Sequence, residues 1–195
     1  MKIVINTCAG REHYVQNLTP ALPSAIINYD DFTDPGKYKS TAYRNYQRGL
    51  SLAKGENLLL MEDDIILADN FLPRVRNAVN SYPGKLIQFF SMRKMDLTIG
   101  TREEPGRTYS MSQCTFFPKH LVERIHLYSY LYDNPDHTTA PYDLMIAEYM
   151  MHNRLTYIIH VPNLVDHIVG KSAIHPRRPA KRQSLTFEKT NHDKH

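Results

Sequence analysis

Between Lys2 and Phe90 the chain alternates short apolar or β-branched runs with stretches of helical spacing, and this constrains the fold more than any other feature. Lys2–Asn6 (KIVIN), Ser24–Asp30 (SAIINYD), Asn57–Met61 (NLLLM) and Lys85–Phe90 (KLIQFF) read as strands. The third is apolar at every residue after Asn57, the pattern of a central strand covered on both faces. Three helices fall between them. The first is EHYVQNLTPAL. The second is capped by Ser40 or Thr41, carries Ala42, Tyr43, Tyr46, Leu50 and Ala53 at helical spacing, and stops at Gly55. The third starts near Asp69. Such alternation predicts a parallel α/β sheet with right-handed crossovers, whose ligands bind beyond the carboxyl ends of the strands. The loop Thr7–Arg11 (TCAGR) and the acids Glu62, Asp63 and Asp64 both follow strands, so both are expected at one crevice.

The second half is less regular. MRKMDLTIGTREEPGR reads as a long loop or irregular hairpin, TYSMSQCTFF as one or two strands, and PKHLVERIHLY and PYDLMIAEYMMHN as helices. LTYIIHVPN reads as a last strand, broken by Pro162. With 195 residues, 42% hydrophobic and 23% charged, the chain is an ordinary globular one, long enough to bury a core. Cys8 and Cys114 allow one disulfide but no secreted framework. The N-terminus enters a strand directly, with no apolar leader, and no run reaches the ~20 apolar residues of a membrane span. A cytoplasmic protein is the expectation. Net charge is +4, and the segment from Lys171 to Arg182 is rich in Lys and Arg with no acid, as in a solvated tail or a surface meeting phosphates.

Three constellations carry chemistry. Adjacent acids repel unless a positive charge sits among them. At the end of a rigid strand they suit Mg²⁺ or Mn²⁺, which take one or two carboxylates plus substrate phosphates. In VPNLVDHI, Asp166 or His167 can add a ligand, with Lys171, Arg177 and Arg178 following to meet a diphosphate. In PYDLMIAEYM, Asp143 opens a helix, either as a partner of the helix dipole or as a general base taking a proton from a hydroxyl. The chain has no G-x-G-x-x-G after its first strand, no Walker-type loop and no G-x-S-x-G elbow.

These residues resemble a family. A strand ending LLLMEDDI, after a helix ending AKG and before ADNFL, resembles the metal-binding region of GT-A type nucleotide-sugar glycosyltransferases, with EDD as a variant of the DxD motif. SQCTFFPKHLVERI resembles their acceptor-side segment, and PYDLMIAEYM followed by TYIIHVPNLVDHIVGKSAI resembles their closing pattern. The resemblance implies a Rossmann-like GT-A fold over residues 1–175, with a central, mostly parallel sheet flanked by helices. A nucleotide-sugar-binding half (1–90) would be followed by a smaller acceptor-side half (91–175) and a basic, flexible tail (176–195). It implies donor contacts from Thr7, Arg11, Glu62, Asp63, Lys171 and Arg177, metal ligation by Asp64 and His167 with Mn²⁺ or Mg²⁺, and Asp143 as catalytic base if the enzyme inverts rather than retains the anomeric configuration. The donor would be a UDP-sugar. The acceptor hydroxyl would belong to a saccharide or to nucleic acid, a hydroxylated base as in phage DNA modification.

Two other readings compete. A metal-dependent phosphoesterase or nuclease would use the same acids and histidine, but usually with two metals and more ligands. A basic nucleic-acid-binding module would use the tail and some of the 13 tyrosines, but has no need of acids at a sheet edge.

Overall fold

A computed structural model describes residues 1–30, 38–132, 141–170 and 181–188. The first strands form where they are expected: β1 (Lys2–Cys8), β2 (Ile26–Asp30) and β3 (Leu58–Glu62), with α1 (Glu12–Leu18) and α2 (Tyr38–Ser51) between them. β1 runs on through Thr7 and Cys8, which the sequence assigns to a loop; both pair with the end of β2, opposite Tyr29 and Asp30. α2 begins at Tyr38, so Ser40 and Thr41 lie inside it rather than capping it. Beyond the acids, β4 (Ile65–Leu67) precedes α3 (Phe71–Ser81) and β5 (Leu86–Gln88). The irregular region holds α4 (Asp96–Ile99), β6 (Arg102–Pro105), a 3₁₀ turn (Gly106–Thr108) and β7 (Cys114–Phe117). α5 (Lys119–Leu131), α6 (Pro141–His152), β8 (Thr156–Ile159) and β9 (Val165–His167) complete the elements.

The seven-stranded sheet has the order β2-β1-β3-β7-β5-β8-β6. β1, β2, β3, β5 and β8 point one way, and β7 and β6 point the other. The purely parallel arrangement expected for the first four strands is thus interrupted: β7 enters antiparallel between β3 and β5. Its CTFF run is buried at all four residues, as a central position requires. The polar REEP of β6 does not read as strand because it forms the sheet edge, where exposed positions alternate with half-buried ones.

Alternation along each strand feeds two cores. Val4, Leu58 and Leu60 face one, with Tyr46 and Leu50 of α2, Ala53 just beyond it, Ile125 of α5 and Ile146 of α6. Ile3, Ile5, Leu59 and Met61 face the other, with Leu18 of α1 and Phe71, Val75 and Ala78 of α3. Both faces of β3 are therefore buried, and its carboxyl end is left to carry polar groups. Cys8 and Cys114 are both buried free thiols, so the disulfide their number allows is not formed. No helix among the described residues is long and apolar enough to cross a membrane.

Candidate active site

β3 ends at Glu62, and its parallel neighbour β1 ends two residues beyond the position paired with it, so the two carboxyl ends share one edge. Thr7 Oγ donates to Asp63 Oδ2 at 2.6 Å. Arg11, just past β1, sends one guanidinium nitrogen to both neighbouring acids, 2.5 Å from Asp63 Oδ1 and 2.8 Å from Asp64 Oδ2. The positive charge that a run of acids demands is thus supplied by the first loop.

A small two-stranded ribbon adds the histidine. β4 and β9 pair antiparallel with Ile65 opposite His167, and the Ile168 N–H donates to the Asp64 carbonyl at 2.9 Å. This register brings His167 Nε2 to 3.3 Å from Asp64 Oδ2, although the two residues stand a hundred positions apart in sequence. His167 Nδ1 lies 2.6 Å from the Ile168 carbonyl oxygen, which only accepts, so Nδ1 carries the proton. Nε2 then presents its lone pair, which accepts from Arg182 at 2.7 Å.

Arg182 is a site residue that sequence reasoning missed, within a segment assigned to the tail. Residues 181–188 return to the site through hydrogen bonds: the Ser184 N–H donates to Asp166 Oδ1 at 2.7 Å, and Asn163 Nδ2 donates to Ser184 Oγ at 2.7 Å. Asp166 accepts the His167 N–H with the same oxygen, at 2.9 Å. Through this oxygen it fastens the segment. Lys171, Arg177 and Arg178 lie outside the described residues.

The acids differ in electrostatic state. Burial, then Asp64 and Asp63, push the Glu62 carboxyl well above the usual range. Burial raises Asp63 to about 6, more than Arg11 and Thr7 lower it. For Asp64 burial also acts upward, but the charge and hydrogen bond of Arg11 hold the carboxyl below the usual range. Asp64 is therefore the firmly ionised member. Burial pushes the Cys8 thiol up to about 12, so it is no nucleophile at neutral pH.

Beside the acids opens a pocket lined by Asn6, Cys8, Asp30, Asn45, Glu62 and Tyr142, among others. Asp30 ends β2, and the carboxyl-end rule that locates TCAGR applies to it equally. The pocket floor is a buried amide network. Asn28 Nδ2 donates to Asn6 Oδ1 and to the Asn45 carbonyl, each at 2.7 Å, and Arg48 Nε donates to Asn28 Oδ1 at 2.5 Å. Gly49 lets α2 approach this network: a Cβ there would stand 2.9 Å from Asn6 Oδ1 and 3.0 Å from Leu60 Cδ1.

Asp143 sits in the first turn of α6. It accepts the N–H groups of Met111 and Ser112, each at 3.1 Å, and the Ser112 hydroxyl. Its charge reaches Glu62, which it helps to raise.

The donor set fits a hard divalent cation. One ionised carboxylate oxygen and one imidazole nitrogen with its lone pair outward face each other at 3.3 Å. Among the described residues no group of three or more His, Cys, Asp or Glu forms a metal cluster, so substrate oxygens would have to complete the coordination. An ion there would take the place of the Arg182 N–H on Nε2.

No protein-family model matches the chain, and none of the curated proteins matches it either. Solved structures do. A glycosyltransferase involved in the glycosylation of the major capsid of PBCV-1 is similar, with TM-score 0.53 and 15% identity over 89% of this chain and 97% of that one. S. aureus TarS 1–349 gives TM-score 0.54 and 14% identity over 82% of this chain, which spans 60% of that one. A protein from STIV gives TM-score 0.50 and 12% identity over 100% of this chain and 99% of that one. At these identities the likeness is one of fold, a mixed α/β architecture of GT-A type.

Proposed function

We propose that the chain is a nucleotide-sugar glycosyltransferase that moves a sugar from a UDP-sugar to an acceptor hydroxyl. The observation that carries this reading is the convergence of Asp63, Asp64, Arg11 and His167 beside a polar pocket at the carboxyl edge of a GT-A type sheet. The neighbour that is a glycosyltransferase involved in the glycosylation of the PBCV-1 major capsid supports sugar transfer.

In this reading the nucleoside lies over the Asn6–Asn45 floor, between Asp30 and Tyr142, and Glu62 and Asp63 shape the side nearest the sugar. Arg11 keeps the acid pair from repelling itself and holds it rigid. Asp64 and His167 would hold Mn²⁺ or Mg²⁺, which when bound neutralises the departing diphosphate. Arg182, released from His167, turns its guanidinium to the same phosphates, and Lys171 and Arg177 follow it in donor binding. Asp143 receives the proton of the acceptor hydroxyl as that oxygen bonds to the anomeric carbon. The bond from that carbon to the diphosphate oxygen breaks, and UDP leaves with the electron pair.

The test is UDP release from UDP-glucose, UDP-galactose and UDP-N-acetylglucosamine with Mn²⁺. Saccharides and duplex DNA carrying hydroxymethylated bases are supplied as alternative acceptors. Acceptor-dependent UDP release is expected. Phosphodiester cleavage with no donor present would overturn the reading in favour of a phosphoesterase.

A further inference from the structure

The turn between Tyr109 and Thr115 is fastened to both halves of the site at once. Met111 adopts a left-handed φ of 68°, and the N–H groups of Met111 and Ser112 converge on the Asp143 carboxylate. The next residue, Gln113, accepts the N–H of Glu62 at 2.9 Å. Three consecutive residues therefore set the distance between the α6 acid and the acid triplet. Upstream, the same segment is pinned to the far end of α6. The Gly106 N–H donates to the Leu155 carbonyl at 3.0 Å, and a Cβ on Gly106 would lie 2.3 Å from Met150 Cβ.

Behind the turn runs a buried chain of hydroxyls. Tyr109 OH stands 3.0 Å from Ser112 Oγ and 2.8 Å from Thr115 Oγ1. An ionised carboxylate only accepts, so the Ser112 proton is committed to Asp143. Ser112 Oγ must then accept from Tyr109, and Tyr109 in turn accepts from Thr115. Every donor points towards Asp143, and each bond polarises the next. Ser112 and Tyr109 are each 3% exposed and Thr115 is 0% exposed, so water does not compete along the chain.

We propose that residues 109–115 form a positioning strap whose hydroxyl chain, Thr115 to Tyr109 to Ser112, fixes the plane of the Asp143 carboxylate relative to the sugar-side acids. The proposal rests on Asp143 being the base. Ser112 and Tyr109 act through it and touch no substrate.

The experiment compares Ser112→Ala, Tyr109→Phe, Asp143→Asn and the Ser112→Ala/Asp143→Asn double variant. UDP-glucose is the donor probe, UDP release is followed across pH, and UDP affinity is measured by calorimetry. Ser112→Ala is expected to lower kcat by about 10²-fold with KM for the donor and UDP affinity unchanged. The acid limb of its pH–rate profile should move to higher pH, because the charged carboxylate loses a donor. Tyr109→Phe, which keeps the ring and the Ser112 contact to Asp143, should show the same changes at smaller size and serves where Ser112→Ala does not fold. Asp143→Asn should be at least as impaired, and adding Ser112→Ala to it should cost nothing more. A Ser112→Ala enzyme with wild-type kcat and pH profile, or losses that add in the double variant, would overturn the strap while leaving Asp143 as base. A fully active Asp143→Asn would instead overturn the base assignment and the strap with it.

Discussion

Among the described residues two places hold an arginine between two acids, and they are not alike. At the active-site edge Arg11 spans Asp63 and Asp64; at the far edge of the sheet Arg102 spans Asp96, at 2.8 Å, and Glu104, at 2.6 Å. The second is a clasp: it ties the short helix α4 to the edge strand β6. The first is crowded. Glu62 and His167 press on the same pair, burial drives two of the three acids towards protonation, and only Asp64 stays firmly ionised. An ion pair alone does not mark a site. Charge that its own partners leave imperfectly balanced, beside an open pocket, is the more telling feature.

Substitutions should separate the two clusters. Asp64→Ala is expected to have the largest effect, a loss of at least ~10²-fold in UDP release per folded molecule together with loss of any Mn²⁺ dependence of UDP binding. If UDP release survives, the functional half of the comparison fails. Arg102→Ala should do the reverse: it strands a nearly inaccessible Asp96 and destabilises the fold by about 3 kcal/mol in urea unfolding, with activity per folded molecule unchanged. Asp63→Asn gives the smallest and most diagnostic change. Because burial raises the Asp63 carboxyl from 3.8 to about 6, its protonated form stabilises the fold at pH 4, and that contribution is lost as pH rises past 6. The variant should therefore match wild type in stability near pH 4 and exceed it by about 2 kcal/mol near pH 8. An Asp63→Asn protein less stable than wild type at pH 8 would mean that the Arg11 pairing outweighs the crowding.

Elements whose signal is local could be read from sequence. The apolar NLLLM run, the helical spacing through Leu50 and the helix opened by Pro141 all sit where local pattern and tertiary burial agree. β4 and β9, three residues each, are too short to be read as strands, and they are held by one another across a sequence gap that carries no periodicity. Their pairing is what delivers His167 to Asp64, so the residues could be named but not their meeting. Arg182 was beyond reach for a similar reason: the hydrogen bonds that Ser184 donates to Asp166 and accepts from Asn163, not composition, turn a basic stretch back into the site. The strap at 109–115 was invisible because Ser112 is an ordinary serine until the turn aims it at Asp143.

The place of β7 has a consequence for how the protein is made. β3 ends at residue 62, yet the strand that covers its open edge begins at residue 114. A ribosome adding ~5–20 residues per second leaves that apolar edge without its partner for several seconds, longer once the exit tunnel is counted. During this interval the nascent chain exposes an apolar edge open to pairing with other chains. A fragment truncated near residue 90 is expected to aggregate when expressed, and one extended through residue 131, past β7 and α5, to stay dispersed for longer. The sheet is laid down in an order that keeps its centre unfinished until more than half the chain exists.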